Sequence, residues 1–141
     1  MRRYLVVAHQ TLGTAELLET LRDRLAEGPC TFHLVVPELH QGPGVTWTEG
    51  HVRREAAKHL EEARLRFTIE GIPVTGEVGD ANPVDAVASV LREQGSDAFE
   101  AVIVSTLPHS VSKWLKLDAP SRIQRNTNLP VIHVVGTPVD A

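Results

Sequence analysis

The chain has 141 residues, a formal net charge of −4 and one cysteine, Cys30. A net negative charge argues against a duplex nucleic-acid binder, which needs a basic face for the phosphates, and an aromatic content of 4% is too low for a single-strand stacking platform. One cysteine excludes an intramolecular disulfide, and the first apolar run, residues 5–8, is too short for a signal peptide or a membrane helix. We therefore expect a single domain over residues 1–141, located in the cytoplasm and bound to neither membrane nor nucleic acid.

Short β-rich runs alternate with helical patterns along the chain. Strands are predicted at residues 3–8, 32–36, 73–78, 101–104 and 131–135. The runs are continuously apolar, as is typical of parallel strands covered on both faces, and their alternation with helices indicates βαβ units. The pattern predicts an α/β fold, a three-layer α/β/α sandwich around a five-stranded parallel sheet.

Helix boundaries carry their own signals. Thr14 is a predicted N-cap for a helix that stops before Gly28, and Asn82 caps another that begins at Pro83. A longer helix is predicted from residue 49 to residue 70 and a last helical stretch from 120 to 127. Residues 37–48, which include two glycines and two prolines, are predicted to form a loop.

Three stretches together resemble the universal stress protein family. They are residues 6–14, the segment Gly-Asp-Ala-Asn-Pro at 79–83, and the tail from Ser121 to Val135. The resemblance implies an adenine nucleotide alpha hydrolase-like, Rossmann-like sheet of order 3-2-1-4-5, a role in the stress response, and a homodimer formed through the last strand, Val131–Val135. Nucleotide-binding members of the family also bind ATP through a glycine-rich loop after the fourth strand.

This chain departs from the family at that loop. Residues 105–119 contain no glycine; Ser105 and Pro108 stand at the first two glycine positions and Asp118 or a neighbour at the third. The family's aspartate after the first strand is replaced by His9 and Gln10. Because a Cβ keeps the backbone away from phosphates, standard ATP binding is not expected.

Polar side chains follow strands one and four, which would be neighbours in that order. The carboxyl ends of neighbouring parallel strands border one crevice in doubly wound folds. The predicted ligand-binding residues are His9, Gln10, Thr11, Ser105, Thr106, His109, Ser110, Ser112 and Lys113. Trp114 with Leu117 is interpreted as a local packing anchor.

Three interpretations of this crevice stay open. It binds a nucleotide, such as ATP, or another small phosphate or anion, with hydroxyl donors and the charge of Lys113. Alternatively, His9 or His109 acts as a base toward Ser105 or Thr106, or the polar residues only cap loops and helices. No metal-ligand spacing is present among the seven histidines, and His33 and His133 are placed inside strands, away from the crevice mouth.

The sequence thus favours a universal-stress-protein-like binding or regulatory protein, without a catalytic residue and without standard ATP binding. The alternative is a nucleotide- or anion-binding protein with weak ATPase activity that uses the loop after strand four.

Overall fold

A computed structural model describes residues 1–39 and 49–137. Its strands are β1 (Arg2–Val7), β2 (Cys30–Pro37), β3 (Val74–Gly79), β4 (Ala101–Thr106) and β5 (Val131–Val135). Its helices are α1 (Ala15–Ala26), α2 (Glu49–Ile69), α3 (Pro83–Gln94), α4 (Lys113–Lys116) and α5 (Ala119–Thr127), with a 3-10 turn at Ser96–Ala98. Of the predicted loop at 37–48, Pro37 belongs to β2 and residues 40–48 lie outside the described part of the chain.

The five strands form one parallel sheet of order β3-β2-β1-β4-β5. The predicted fold class and strand order are confirmed. β1 lies in the centre, where its Leu5 pairs with His33 of β2 and with Val102 of β4. The carboxyl ends of β1, β2 and β4 consequently meet at one edge of the sheet.

Both faces of the sheet are covered by helices. Tyr4 and Val6 point to a core that includes Leu17 of α1 and Phe67 of α2. The alternate residues of β1 point to a second core, whose members include Leu5, Val7, Val87 of α3 and Ile123 of α5. Full burial of one such side chain contributes about 1.5–3 kcal/mol, so each core holds the strand ends at the site in place.

The two predicted N-caps are confirmed. Thr14 Oγ1 accepts a hydrogen bond from the Leu17 amide at 3.4 Å, and Asn82 Oδ1 accepts one from the Val84 amide at 2.9 Å. Both caps satisfy amides that the first helical turn leaves without a partner. They fix the turns that lead away from β1 and β3 at the carboxyl edge.

β4 is two residues longer than predicted. Ser105 and Thr106 continue the strand because they pair in register with Val134 and Val135 of β5.

Within residues 1–39 and 49–137, no helix is long and apolar enough to cross a membrane.

Candidate functional site

A cavity of about 170 Å³ opens at the carboxyl edge of the sheet, between the ends of β1, β2 and β4. Seven of the nine predicted ligand-binding residues line it: His9, Gln10, Thr11, Ser105, Thr106, Ser112 and Lys113. The topology therefore brings the two polar turns together. The rest of the lining is Glu38, Leu39, Ala81, Leu107, Trp114 and Leu117.

The other two predicted residues are placed elsewhere. His109 and Ser110 are exposed and do not line the cavity. They lie in the turn closed by the hydrogen bonds from the amides of Val111 and Ser112 to the Pro108 carbonyl, each 3.0 Å long. That turn carries the chain away from the crevice before Ser112 returns to it.

One wall of the cavity carries a pair of buried hydroxyls. Thr11 Oγ1 and Ser105 Oγ lie 2.5 Å apart, and their residues are 1% exposed. Two hydroxyls have two O–H donors, and their mutual hydrogen bond uses one of them. The pair therefore keeps one donor for a ligand.

Two further hydroxyls lie beside this pair. Thr106 Oγ1 is 2.8 Å from Nε2 of His133, and Ser112 Oγ accepts from the Leu115 amide at 3.2 Å. The Ser112 hydroxyl hydrogen is thus available to a ligand. His133 lies inside β5, as predicted, and does not line the cavity; the pairing of β5 with β4 brings its ring to Thr106. Partial desolvation lowers the pKa of His133 below its ordinary value.

The charged groups of the cavity have opposite signs. Lys113 is exposed and opens α4, while Glu38 at the end of β2 forms an ion pair with Arg53 at 3.1 Å. Arg53 thereby offsets the carboxylate, and Lys113 supplies the positive charge facing the cavity. Gln10, also exposed, adds an amide.

His9 forms the wall next to α2 and is 4% exposed. Its Nδ1 lies 2.8 Å from the Pro37 carbonyl oxygen, so Nδ1 carries the hydrogen and donates. Its Nε2 lies 2.7 Å from Nδ1 of His59. Burial lowers the pKa of His9, and the nearby His59 lowers it further.

This geometry disfavours the interpretation in which His9 acts as a base toward Ser105 or Thr106. Both ring nitrogens of His9 have partners other than Ser105 and Thr106, and Ser105 is bonded to Thr11. A base must lie within hydrogen-bond reach of the hydroxyl that it activates. Asp80 does not orient a histidine either, since its Oδ1 accepts from the Asn82 amide at 2.9 Å.

His59 is the main residue that the sequence analysis did not select. It belongs to α2, fifty residues from His9 along the chain. Its only local signal is its place on the helix, three residues after the buried Ala56 and four before the buried Ala63. Trp114 and Leu117 were identified as a pair, but they line the cavity in addition to packing locally.

The loop after β4 keeps a glycine-like backbone without a glycine. Asp118 adopts φ 57°, in the left-handed region, at the position where the third glycine of the family falls. Its carboxylate is exposed and lies 3.8 Å from Arg125.

Within the described ranges, no three histidine, cysteine or acidic side chains come together as metal ligands.

The sequence matches no family model and no curated protein, whereas solved structures do match. A universal stress protein family member from Burkholderia pseudomallei is 20% identical with a TM-score of 0.55, over 97% of this chain and 96% of that one. A universal stress protein in complex with cAMP is 15% identical with a TM-score of 0.58, over 96% and 98%. An Arabidopsis thaliana family protein with AMP bound is 10% identical with a TM-score of 0.62, over 97% and 93%. The chain therefore has the fold of universal stress proteins, and the resemblance found in the sequence is confirmed at the level of fold.

Proposed function

We propose that the chain is a binding or regulatory protein that holds a small phosphate ester, of the size of a nucleoside monophosphate, in the crevice between β1 and β4. The observation that carries the proposal is the composition of the cavity lining. The lining combines hydroxyl donors and Lys113 with the apolar surface of Leu39, Leu107, Trp114 and Leu117. Sites for small ligands combine an apolar lining with a few placed polar groups.

Size and loop chemistry favour a monophosphate over a triphosphate. The cavity of about 170 Å³ is smaller than the roughly 300–1,000 Å³ typical of drug-sized ligands. The loop at residues 105–119 has no glycine to bring its backbone close to a phosphate chain, and it carries the carboxylate of Asp118. Two proteins of the same fold were crystallised with AMP and with cAMP, which supports this ligand class.

Isothermal titration with AMP, cAMP and ATP tests the proposal. We expect AMP or cAMP to bind, ATP to bind no more tightly, and Lys113→Gln to weaken binding by about tenfold because it removes one charge-assisted contact. Lys116→Gln is the matched control, since Lys116 lies on the same exposed helix but does not line the cavity. No binding of any of the three, or equal losses in both variants, would overturn the proposal.

The alternative, weak ATPase activity of the loop after β4, is tested in the same samples. Release of phosphate from ATP by the wild type, and its absence in both Lys113→Gln and Ser105→Ala, would support turnover. We expect no release, because neither Ser105 nor Thr106 is hydrogen-bonded to His9.

We further propose that two copies of the chain associate through β5. This strand lies at one end of the sheet order, and Val131, Ile132 and Val135 are partly or fully exposed. An edge strand leaves backbone N–H and C=O groups unpaired on one side, which makes it a ready pairing surface. Light scattering should give the dimer mass at micromolar concentration, and a monomer for Ile132→Lys; a wild-type monomer would contradict the proposal.

A further inference from the structure

A second cavity, of about 180 Å³, adjoins the crevice at His9. It is bounded by the turn after β1 and by α2, and its lining is His9, Gln10, Leu12, Gly13, His59, Glu62, Ala63 and Arg66. His9 and Gln10 belong to both cavities. The same turn thus lines both cavities.

The guanidinium of Arg66 is held against the backbone of this turn. A Cβ placed on Gly13 would lie 2.5 Å from Nη1 of Arg66, so the guanidinium occupies the space that a side chain would fill. Glu62 stands four residues earlier on the same helix, yet no ion pair joins the two residues among the described ones. Arg66 therefore presents N–H donors to the cavity that no described carboxylate uses.

The two histidines of the cavity share protons in a defined way. His9 Nδ1 must carry a hydrogen, because its partner is the Pro37 carbonyl. One hydrogen lies between His9 Nε2 and His59 Nδ1, which leaves His59 Nε2 as the position for a third. That nitrogen lies 3.5 Å from Glu55 Oε1, and a third hydrogen bound there gives the pair one positive charge that faces the Glu55 carboxylate.

We propose that this second cavity binds a small oxyanion, a phosphate-type or carboxylate group, between the Arg66 guanidinium, the Gln10 amide and the protonated His9–His59 pair. The site shares His9 and Gln10 with the crevice but does not rest on the function proposed for the crevice. Arginine suits this task because its planar fork offers two parallel donors to one oxyanion. Protonation of the pair adds a positive charge to a lining that also contains the carboxylate of Glu62.

Binding is consequently linked to proton uptake. The charged groups around the pair are Glu55, Glu62 and Arg66 of α2, with the Glu38–Arg53 ion pair at the end of β2 and Lys113 across the crevice. Imidazoles are the side chains that ordinarily change charge between about pH 5 and 8. The affinity for an anion of fixed charge should therefore rise as the pH falls through this range.

Sulfate is the probe, because its charge is constant over that range, and NMR of the arginine and histidine side chains is the readout. At about pH 6 we expect sulfate to shift the Arg66 and His59 side-chain signals, with an affinity several-fold weaker at about pH 7.5. Arg66→Gln should weaken binding by about tenfold. Arg64→Gln, two residues away and ion-paired with Glu61 at 2.8 Å, should leave it unchanged.

Four further measurements test the site independently. Gly13→Ala keeps the charge but displaces the guanidinium, and should weaken sulfate binding while the protein stays folded. His59→Gln should abolish the pH dependence, and acetate in place of sulfate distinguishes a carboxylate site from a phosphate-type one. Lys113→Gln should leave sulfate at Arg66 unaffected, even if the crevice binds no nucleotide.

Sulfate shifts confined to the crevice residues would overturn the proposal. So would an affinity that Arg66→Gln and Arg64→Gln change equally, or one that is the same at both pH values.

Discussion

His9 and His33 are both buried histidines in or next to neighbouring strands, and each has a partner at both ring nitrogens. Nδ1 of His33 lies 2.7 Å from Thr75 Oγ1, and its Nε2 lies 2.7 Å from Glu77 Oε2. Both partners are side chains of β3, on the same face of the sheet. His9 is bonded to the backbone of Pro37 and to an imidazole of α2 instead.

The two histidines differ in whether their hydrogen-bond partners are mobile side chains or fixed backbone. Thr75 is exposed and Glu77 half-buried, so both can turn to water if His33 is replaced. The Pro37 carbonyl is part of a buried strand end and cannot turn away. His33 thus belongs to a cross-strand ladder at the sheet edge, whereas His9 connects β1, β2 and α2 and lines two cavities.

Replacement of each histidine by leucine should reveal the largest difference between the two sites, in the free energy of unfolding. His9→Leu leaves a buried carbonyl without a donor and should lower the free energy of unfolding by about 3 kcal/mol. His33→Leu should cost about 1 kcal/mol, because its partners become solvated. Urea denaturation measures both; equal losses would show that partner origin does not matter.

Protonation of His9 should make the stability of the protein depend on pH. The pKa of His9 is held below its ordinary value of 6.5, mainly by burial, so the unfolded chain binds a proton more readily than the folded one. The contribution of neutral His9 to the free energy of unfolding is therefore fully present above about pH 6.5. It is lost as the pH falls from there through the lowered pKa of the folded state.

Denaturation at a series of pH values checks this expectation. The curve should be shallower in His9→Asn than in the wild type. His133→Asn gives a second reference, since desolvation also lowers the pKa of that histidine. If the loss of stability below about pH 6.5 is the same in His9→Asn as in the wild type, His9 is not its source.

The smallest expected effect concerns Asp118, in the loop after β4. Asp118→Gly removes a side chain from a left-handed backbone, and should change stability by only about 0.5 kcal/mol, because the relief is largely offset by the entropy of glycine in the unfolded chain. It also removes a carboxylate, so AMP should bind more tightly. Asp118→Asn separates the two effects, since asparagine tolerates the same backbone without the charge.

Much of the fold could be predicted because its signals are local. The continuous apolar runs of β1 and β4 and the caps Thr14 and Asn82 depend on residues within a few positions of each other. The crevice followed from topology, since strand order alone brings Thr11 near Ser105. His59 and His133 could not be placed in this way, because their contacts depend on the position of α2 on the sheet and on the β4–β5 register.

The single imidazole that forms a wall of both cavities has a consequence for how they communicate. If an occupant on the α2 side favours the extra proton on the pair, it also changes the electrostatic potential felt in the crevice. Thermodynamic reciprocity then requires each occupant to alter the affinity for the other by the same factor. Titrating AMP with and without sulfate, and sulfate with and without AMP, should return one coupling constant from both directions.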